Sequence, residues 1–348
     1  MSSPKPPKKT HSVVPGQTVT LEQVAAHAGV SPSTVSRILN GTAVVSPAKK
    51  AAVEAAIQEL GFRPNPVARG LAGGRTMSIG VVTQIISSPF YGEALLGIEE
   101  QLEQAGYVPL IVSGHWRDVD ERKALQTLLA RRVDGLIVFA GRLSAADLLQ
   151  EAAGLPLVVM GRQVQGPQAF SFSFDNRKGA RLATEHLLAQ GHRRIAFVMG
   201  DPVHDDAADR YQGYLDALAA AGLAADPALL TQGDYTEGGG LLAITHLLAR
   251  GQSFSAVFSC NDQMAIGAAH GLRRHGLRVP DDVSLVGFDD VVLARYAMPP
   301  LTTVRQSMLD MGHQAAKAVL DQLAGRPPQV QLPAPELVVR DSTRRLAR

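Results

Sequence analysis

A single cysteine, Cys260, is the whole thiol content of 348 residues, which rules out an internal disulfide framework and makes a reducing cytoplasm the expected setting. No apolar run approaches the roughly 20 residues that a membrane-spanning helix needs. The N-terminus, M-S-S-P-K-P-P-K-K-T-H-S, is basic but has no apolar stretch behind it, so it does not read as a secretory signal. The chain also lacks a G-x-S-x-G elbow, an H-E-x-x-H pair, a P-loop and a CxxC pair. Gly238-Gly239-Gly240 has neither the strand context nor the spacing of a dinucleotide fingerprint, and Cys260 sits in an apolar run as a small core thiol would. His204, Asp205, Asp206 and Asp209 could imitate a metal site, yet they precede a helix whose dipole accounts for acids there. Catalysis, a metal and a cofactor are therefore not expected.

What the chain does have is a large apolar fraction, 45%, with only 19% charged residues, enough for two or three cored domains. Its net charge of +2 hides an uneven distribution. Residues 1–75 carry nine Lys and Arg against three Glu, while the remaining 273 residues carry 25 basic and 29 acidic side chains. A basic head on a mildly acidic body is an electrostatic footprint for nucleic acid, with added solubility as the plainer alternative.

The head contains one informative stretch, residues 19–40, V-T-L-E-Q-V-A-A-H-A-G-V-S-P-S-T-V-S-R-I-L-N. Thr20 and Gln23 are spaced as a capping box, Val24, Ala25 and Ala28 give the helix an apolar face, and Gly29 supplies a turn. Ser31 caps a second helix that opens with Pro32, where the missing N–H costs nothing. Val35, Ile38 and Leu39 face inward, leaving Ser33, Thr34, Ser36 and Arg37 outward. Small hydroxyls plus an arginine on an exposed helix suit base-pair edges in a major groove. Taken alone, the stretch also fits two packed helices with a solvated face.

Residues 1–18, rich in Pro, Lys and Ser, read as a mobile tail. After the loop N-G-T-A-V-V, Ser46-Pro47 starts a third helix by the same cap-plus-proline device, and Gly61 ends it. Residues 62–76, F-R-P-N-P-V-A-R-G-L-A-G-G-R-T, allow about two helical turns, too few to be stable in water without a partner. Leu71 lies there without an obvious core. It fits a wedge between base steps in the minor groove, or simply a linker leucine.

From Ser78 onward short apolar runs alternate with helical segments such as 92–106, 120–131, 177–190, 208–221 and 262–275, which predicts parallel sheets covered on both faces. About 270 residues exceed one comfortable sheet, so two α/β subdomains are expected, with a ligand cleft at the carboxyl ends of their strands. The polar strand ends are Phe90-Tyr91, Arg162, Asp175-Asn176, residues 204–210, Asp234-Tyr235, Asn261-Asp262 and Asp289-Asp290. Any one of these could be a helix cap or an ion-pair partner. Together their carboxylates, amides, arginines and aromatics suit a polyhydroxylated ligand, with bidentate hydrogen bonds to vicinal hydroxyls and a ring face for stacking.

With these residues assembled, the chain resembles the LacI/GalR family of bacterial repressors over about residues 19–342. The motifs that carry the resemblance are the helix-turn-helix stretch with Gly41, the linker P-N-P-V-A-R-G-L-A, and the late run V-P-D-D-V-S-L-V-G-F-D-D-V-V-L-A-R-Y-A-M-P-P-L-T-T-V-R-Q. The resemblance implies a dimer whose paired hinge helices insert Leu71 into the centre of a palindromic operator. It makes Thr20, Ser31, Ser33, Thr34, Ser36, Arg37, Asn40, Ala68 and Leu71 the DNA contacts. Pro32 departs from many relatives and offers no donor, so base reading leans on Ser33 and Arg37. The body looks like a type I periplasmic-binding-protein fold whose subdomains are joined by three crossovers. The family's effector positions fall here on Phe90, Tyr91, Arg210, Tyr235, Asn261 and Asp289, and the strand ends add Arg162 and Asp175 to the expected effector set. D-A-A-D-R-Y-Q-G-Y-L-D-A-L is most similar to galactose- and β-glucoside-responsive members, and the C-terminal run shows no leucine heptads, so a dimer is expected and not a tetramer.

The expected organisation is an N-terminal all-α head on a two-subdomain α/β body. It runs as a tail (1–18), a helix-turn-helix domain (19–63), a hinge (64–76), an effector-binding and dimerisation domain (77–342) and a short tail (343–348). Within the body, one subdomain takes about 77–174 and 306–336, the other about 175–305 and 337–342. The expected function is repression of carbohydrate-utilisation genes, relieved by a small sugar, in a cytoplasmic homodimer with double-stranded operator DNA as its partner and no membrane. Three alternatives stay open: an effector acting as co-repressor, a sugar-binding transport protein, and a sugar-processing enzyme.

Overall fold

The computed structural model describes residues 19–39, 45–62 and 74–346. The tail 1–18, Asn40, and Ala68 and Leu71 of the hinge lie outside the described residues. Two units meet between Thr76 and Met77.

In the first unit, helix α1 (Leu21–Ala28) has its ends fixed by local chemistry. Thr20 Oγ1 accepts from Gln23 N–H at 3.4 Å, and Gln23 Oε1 accepts from Thr20 N–H at 2.8 Å, so two orphan donors of the first turn are satisfied reciprocally. Gly29, at φ +65°, closes the other end in the left-handed conformation that a side chain would disfavour. Helix α2 (Pro32–Leu39) starts at Ser31, whose Oγ accepts from Thr34 N–H at 3.3 Å. Helix α3 (Pro47–Leu60) departs from expectation at its start: Ser46 makes no side-chain cap bond, so Pro47 alone sets that terminus. Val24, Ala25, Val35, Val53 and Ala56 form the core among the three helices.

The second unit contains two sheets. The first has the order β2-β1-β3-β4-β5, with β1 (Ser78–Thr83), β2 (Val108–Ser113), β3 (Gly135–Phe139), β4 (Leu157–Met160) and β5 (Ala169–Phe172) all parallel. The second has the order β11-β10-β9-β8-β6-β7. Its strands are β6 (Ile195–Met199), β7 (Leu230–Gln232), β8 (Ala256–Ser259), β9 (Ser284–Asp289), β10 (Thr302–Arg305) and β11 (Glu336–Val338), parallel except for the β10–β11 pair. Central strands β3, β4, β8 and β9 are buried throughout, which is why their sequences are continuous apolar runs and not alternating ones.

Helices α4 (Pro89–Gln104), α5 (Asp118–Ala130) and α6 (Ala145–Glu151) cover the first sheet. The second is covered by α7 (Asn176–Ala189), α8 (Asp205–Ala220), α9 (Glu237–Ala249) and α10 (Asp262–Arg274). The last helix, α11 (Met308–Leu323), follows β10 of the second sheet yet packs on α4, β3 and β4 of the first. The chain therefore passes between the sheets three times: after β5, between β10 and α11, and between α11 and β11. The α4–α11 contact is backbone-close. A Cβ on Gly97 would lie 2.2 Å from the Leu309 carbonyl oxygen, and one on Gly312 would lie 2.1 Å from that of Ala94. No side chain fits at either position.

Candidate functional site

A cavity of about 610 Å³ lies between the carboxyl ends of the two sheets. It takes its walls from the segments after β1, β2, β3 and β4 on one side and after β6, β7, β8 and β9 on the other.

Arg210, in the second turn of α8, is its electrostatic centre, with 1% of its surface exposed. Nε donates to Asn176 Oδ1 at 2.9 Å, and Nη1 donates to the Cys260 carbonyl at 2.5 Å. Nη2 lies 3.4 Å from Asp206 and 3.3 Å from Asp289, while the guanidinium carbon sits 3.9 Å over the Phe288 ring. A planar cation so surrounded is fixed in orientation and remains charged. Asp289 is 6% exposed and adopts φ +110°. Burial drives its carboxyl up, the Arg210 charge pulls it back, Asp206 pushes it up again, and the outcome is about 7. One arginine is thus shared by two carboxylates, one of which gains its proton near neutrality.

Around this centre the site is braced by hydrogen bonds. Tyr235, held at φ +67°, donates its hydroxyl to Asp206 at 3.2 Å, and Asn261 Nδ2 donates to the Tyr235 carbonyl at 3.0 Å while its Oδ1 caps α10. Below Asp289, the buried Asp262 accepts from Thr303 Oγ1 at 2.6 Å and from Val291 N–H at 2.9 Å. Its neighbour Asp290 is ion-paired with Arg305 and Arg340. The loop that carries Asp289 is thereby pinned from both sides. Gln306, on the passage from β10 to α11, lines the cavity with a buried Oε1 that has no hydrogen-bond partner among the described residues.

The first sheet contributes aromatics. Phe90 and Tyr91 open α4, where they pack edge to face at 5.2 Å, and Tyr91 meets Phe139 likewise at 5.3 Å. Arg162 follows β4, its Nη1 donating to the Gly141 carbonyl at 3.4 Å. Contacts also cross the cleft: Ser88 Oγ donates to Gln263 at 2.8 Å, Arg142 pairs with Asp201 at 3.5 Å, and the Trp116 and His204 rings meet at 3.7 Å between centroids.

Seven of the eight effector positions expected from sequence therefore line one cavity: Phe90, Tyr91, Arg162, Arg210, Tyr235, Asn261 and Asp289. Asp175 does not. Its carboxylate accepts from Lys178 N–H at 3.0 Å as the N-cap of α7, which turns it away, and the next residue, Asn176, faces the cavity instead. Sequence reasoning missed Trp116, Gln263 and Gln306. Trp116 follows β2 and Gln306 directly follows β10, so the strand-end rule reaches both once the short run T-T-V-R is counted as a strand.

On the first unit, Thr20, Ser31, Ser33 and Arg37 are exposed, while Thr34 and Ser36 are partly exposed. The Ser31 hydroxyl bonds those of Ser33 at 2.9 Å and Thr34 at 2.8 Å, and Arg37 Nε donates to the Ser33 carbonyl at 3.3 Å. The α2 face is thus a compact set of hydroxyls and one guanidinium, the donors and acceptors that base edges and phosphates require. Among the described residues, no three His, Cys, Asp or Glu side chains are grouped to hold a metal ion, and no helix is long and apolar enough to cross a membrane.

Residues 20–65 match the bacterial regulatory proteins of the lacI family, and residues 184–343 match the periplasmic binding protein-like domain. The chain is 40% identical over 326 residues to the HTH-type transcriptional regulator GalR of Escherichia coli (strain K12), spanning 93% of this chain and 95% of that relative. Among solved structures it is similar to the complex of the transcriptional regulator CelR with cellobiose, at 36% identity and a TM-score of 0.71 over 93% of this chain and 99% of that one. It is likewise similar to the lac repressor dimer bound to operator and the anti-inducer ONPF, at 32% identity and a TM-score of 0.85 over 94% and 100%.

Proposed function

Because the chain belongs to the lacI family of bacterial regulatory proteins, we propose that it is a transcriptional repressor of carbohydrate-utilisation genes, released from a palindromic operator by a small sugar. The observation that carries the reading is the cavity floor. Arg210 and Asp289, with Asn176 and Asn261, converge fixed donors and acceptors opposite the aromatic rings of Phe90 and Tyr91. A polyol presents adjacent hydroxyls and an apolar ring face, which that arrangement complements. The α2 face supplies the grip on a half-site through Ser31, Ser33, Thr34, Ser36 and Arg37, with Thr20 at the start of α1. Asn40, Ala68 and Leu71 complete the DNA contacts in this reading.

A palindromic site needs two copies of the chain. Exposed apolar side chains support self-association: Leu96, Val108 and Ile111 in the first-sheet part of the body, and Val292, Leu293, Tyr296 and Met298 in the second. The relatives are regulators and not enzymes, and in this reading the chain acts by binding alone, in the cytoplasm where its DNA lies. The sugar loosens the operator only as far as its affinity differs between two arrangements of the body, typically about 1–3 kcal/mol of coupling.

The test is operator selection from random DNA with the full chain, followed by a thermal-shift screen of sugars and operator titration with each hit. Selection should yield an inverted repeat bound about a thousandfold or more over random duplex. A sugar that raises the melting temperature should weaken that binding. Loss of sequence preference would overturn the DNA reading, and a hit that tightens binding would reverse the sign and make the sugar a co-repressor.

A further inference from the structure

We propose that the sole tryptophan of the chain, Trp116, is the platform for a second sugar ring, and that the effector is a disaccharide and not a monosaccharide. The inference deepens the sugar reading above and rests on it.

The loop after β2 is built to hold this one ring. His115 and Trp116 are consecutive non-glycine residues at φ +53° and +55°, a left-handed pair that side chains disfavour and that persists only where surroundings impose it. The imposing group is Gln84, a fully buried side chain at the end of β1. Its Oε1 accepts from Trp116 N–H at 2.9 Å, its Nε2 donates to the Phe139 carbonyl at 3.4 Å, and its own carbonyl accepts from His115 N–H at 3.1 Å. A loop locked in this way presents the indole to the cavity at little further entropic cost on binding. The indole is half-buried, and it lines the cavity.

The ring ends a row that begins at the polar centre. Arg210 contacts Asp206 at 3.4 Å, Asp206 accepts from the Tyr235 hydroxyl at 3.2 Å, Tyr235 meets the His204 ring at 5.2 Å, and His204 meets Trp116 at 3.7 Å. Burial holds the His204 imidazole below its usual range, so at neutral pH it is an uncharged ring in this row. One end of the cavity therefore offers Arg210 and Asp289 for vicinal hydroxyls, and the other adds the Trp116 and His204 rings beside the Arg142–Asp201 pair. A single hexose ring fills well under half of about 610 Å³. A ring held at Arg210 and Asp289 leaves the aromatic end to a second unit, and pyranose C–H faces stack on indole.

The full chain, titrated calorimetrically with glucose, galactose, cellobiose, lactose and maltose, tests this, with indole emission as an independent readout because Trp116 is the only tryptophan. At least one disaccharide should bind about tenfold or more tighter than its component monosaccharides and shift the emission. Trp116→Ala should remove that advantage, leaving disaccharide and monosaccharide affinities equal within about twofold, and Trp116→Phe should restore part of it. If Trp116→Ala keeps the full advantage, or if the monosaccharides bind as tightly as every disaccharide, the proposal is wrong while the sugar reading stands. If no sugar of either size binds, the sugar reading fails and takes this proposal with it. Circular dichroism of each variant separates loss of folding from loss of the platform.

Discussion

Asp289→Asn should flatten the dependence of stability on pH. The Asp289 carboxyl is 6% exposed and pushed up to about 7 in the folded chain, against an ordinary value near 3.8. Between those values the folded chain holds a proton that the unfolded chain has lost, so stability falls as pH rises through that window and levels off above it. Between pH 5 and 8 the group titrates over about two units in the folded state, which corresponds to a loss of about 3 kcal/mol. Asparagine mimics the protonated carboxyl in shape and charge, so the variant should match the parent near pH 5 and exceed it near pH 8. Arg210 keeps Asp206 as a counter-charge in the variant. Urea unfolding of both proteins at pH 5, 6, 7 and 8 measures the difference directly, because every other titration is common to the pair. Parallel profiles would show that Asp289 ionises at an ordinary pH, and that Arg210 fully offsets its burial. If Asp289 holds two sugar hydroxyls as proposed, the same variant should retain operator binding while losing the sugar response, since an amide cannot accept from both.

Three further substitutions probe other parts of the argument. Arg37→Ala should cost about 1–3 kcal/mol at the selected operator and relax preference at the base pair it reads, so unchanged discrimination against random DNA would remove it from base reading. Leu71→Ala should weaken specific binding more than non-specific binding, and equal losses on both would refute a minor-groove wedge. Gly97→Ala places a methyl 2.2 Å from the Leu309 carbonyl oxygen, so α4 and α11 must separate. The urea midpoint should fall by the equivalent of about 1–3 kcal/mol, and an unchanged midpoint would show that the helices have room.

The sequence was most legible where one physical rule dominates. Buried parallel strands must be apolar throughout, so β1, β3, β4, β6, β8 and β9 stand out as runs. Strand β2 also stands out as a run, although it lies at a sheet edge and is buried at none of its positions. Strands β7 and β11, three residues each, carry too few side chains to show any period. The strand-end rule located most cavity residues because the chain leaves every central strand toward the same cleft. It failed at Asp175 because an N-cap and a cavity residue look alike in sequence: which of Asp175 and Asn176 lines the cavity depends on where the first turn of α7 begins. The Arg210 cluster was invisible as a cluster. Asp206 lies one turn from Arg210 on α8, but Asn176 opens α7 and Cys260 and Asp289 stand at the ends of β8 and β9, so these distant positions meet only once the sheet is formed.

The cavity and the passage between the sheets are physically one object. Gln306 N–H donates to the Asp289 carbonyl at 3.2 Å, so a residue that lines the cavity is hydrogen-bonded to the segment on which the chain leaves β10 for α11. Two polar contacts and one ring contact then bridge the opposite walls: Ser88 to Gln263, Arg142 to Asp201, and Trp116 to His204. The Arg142–Asp201 pair is partly exposed on both sides and contributes little alone. A ligand that fills the cavity must touch both walls, because Arg210 and Asp289 belong to the second sheet and Phe90, Tyr91 and Arg162 to the first. Its contacts are complete at one angle and broken at others. That difference in contact, and not the tightness of binding by itself, is what allows a sugar to select one arrangement of the body.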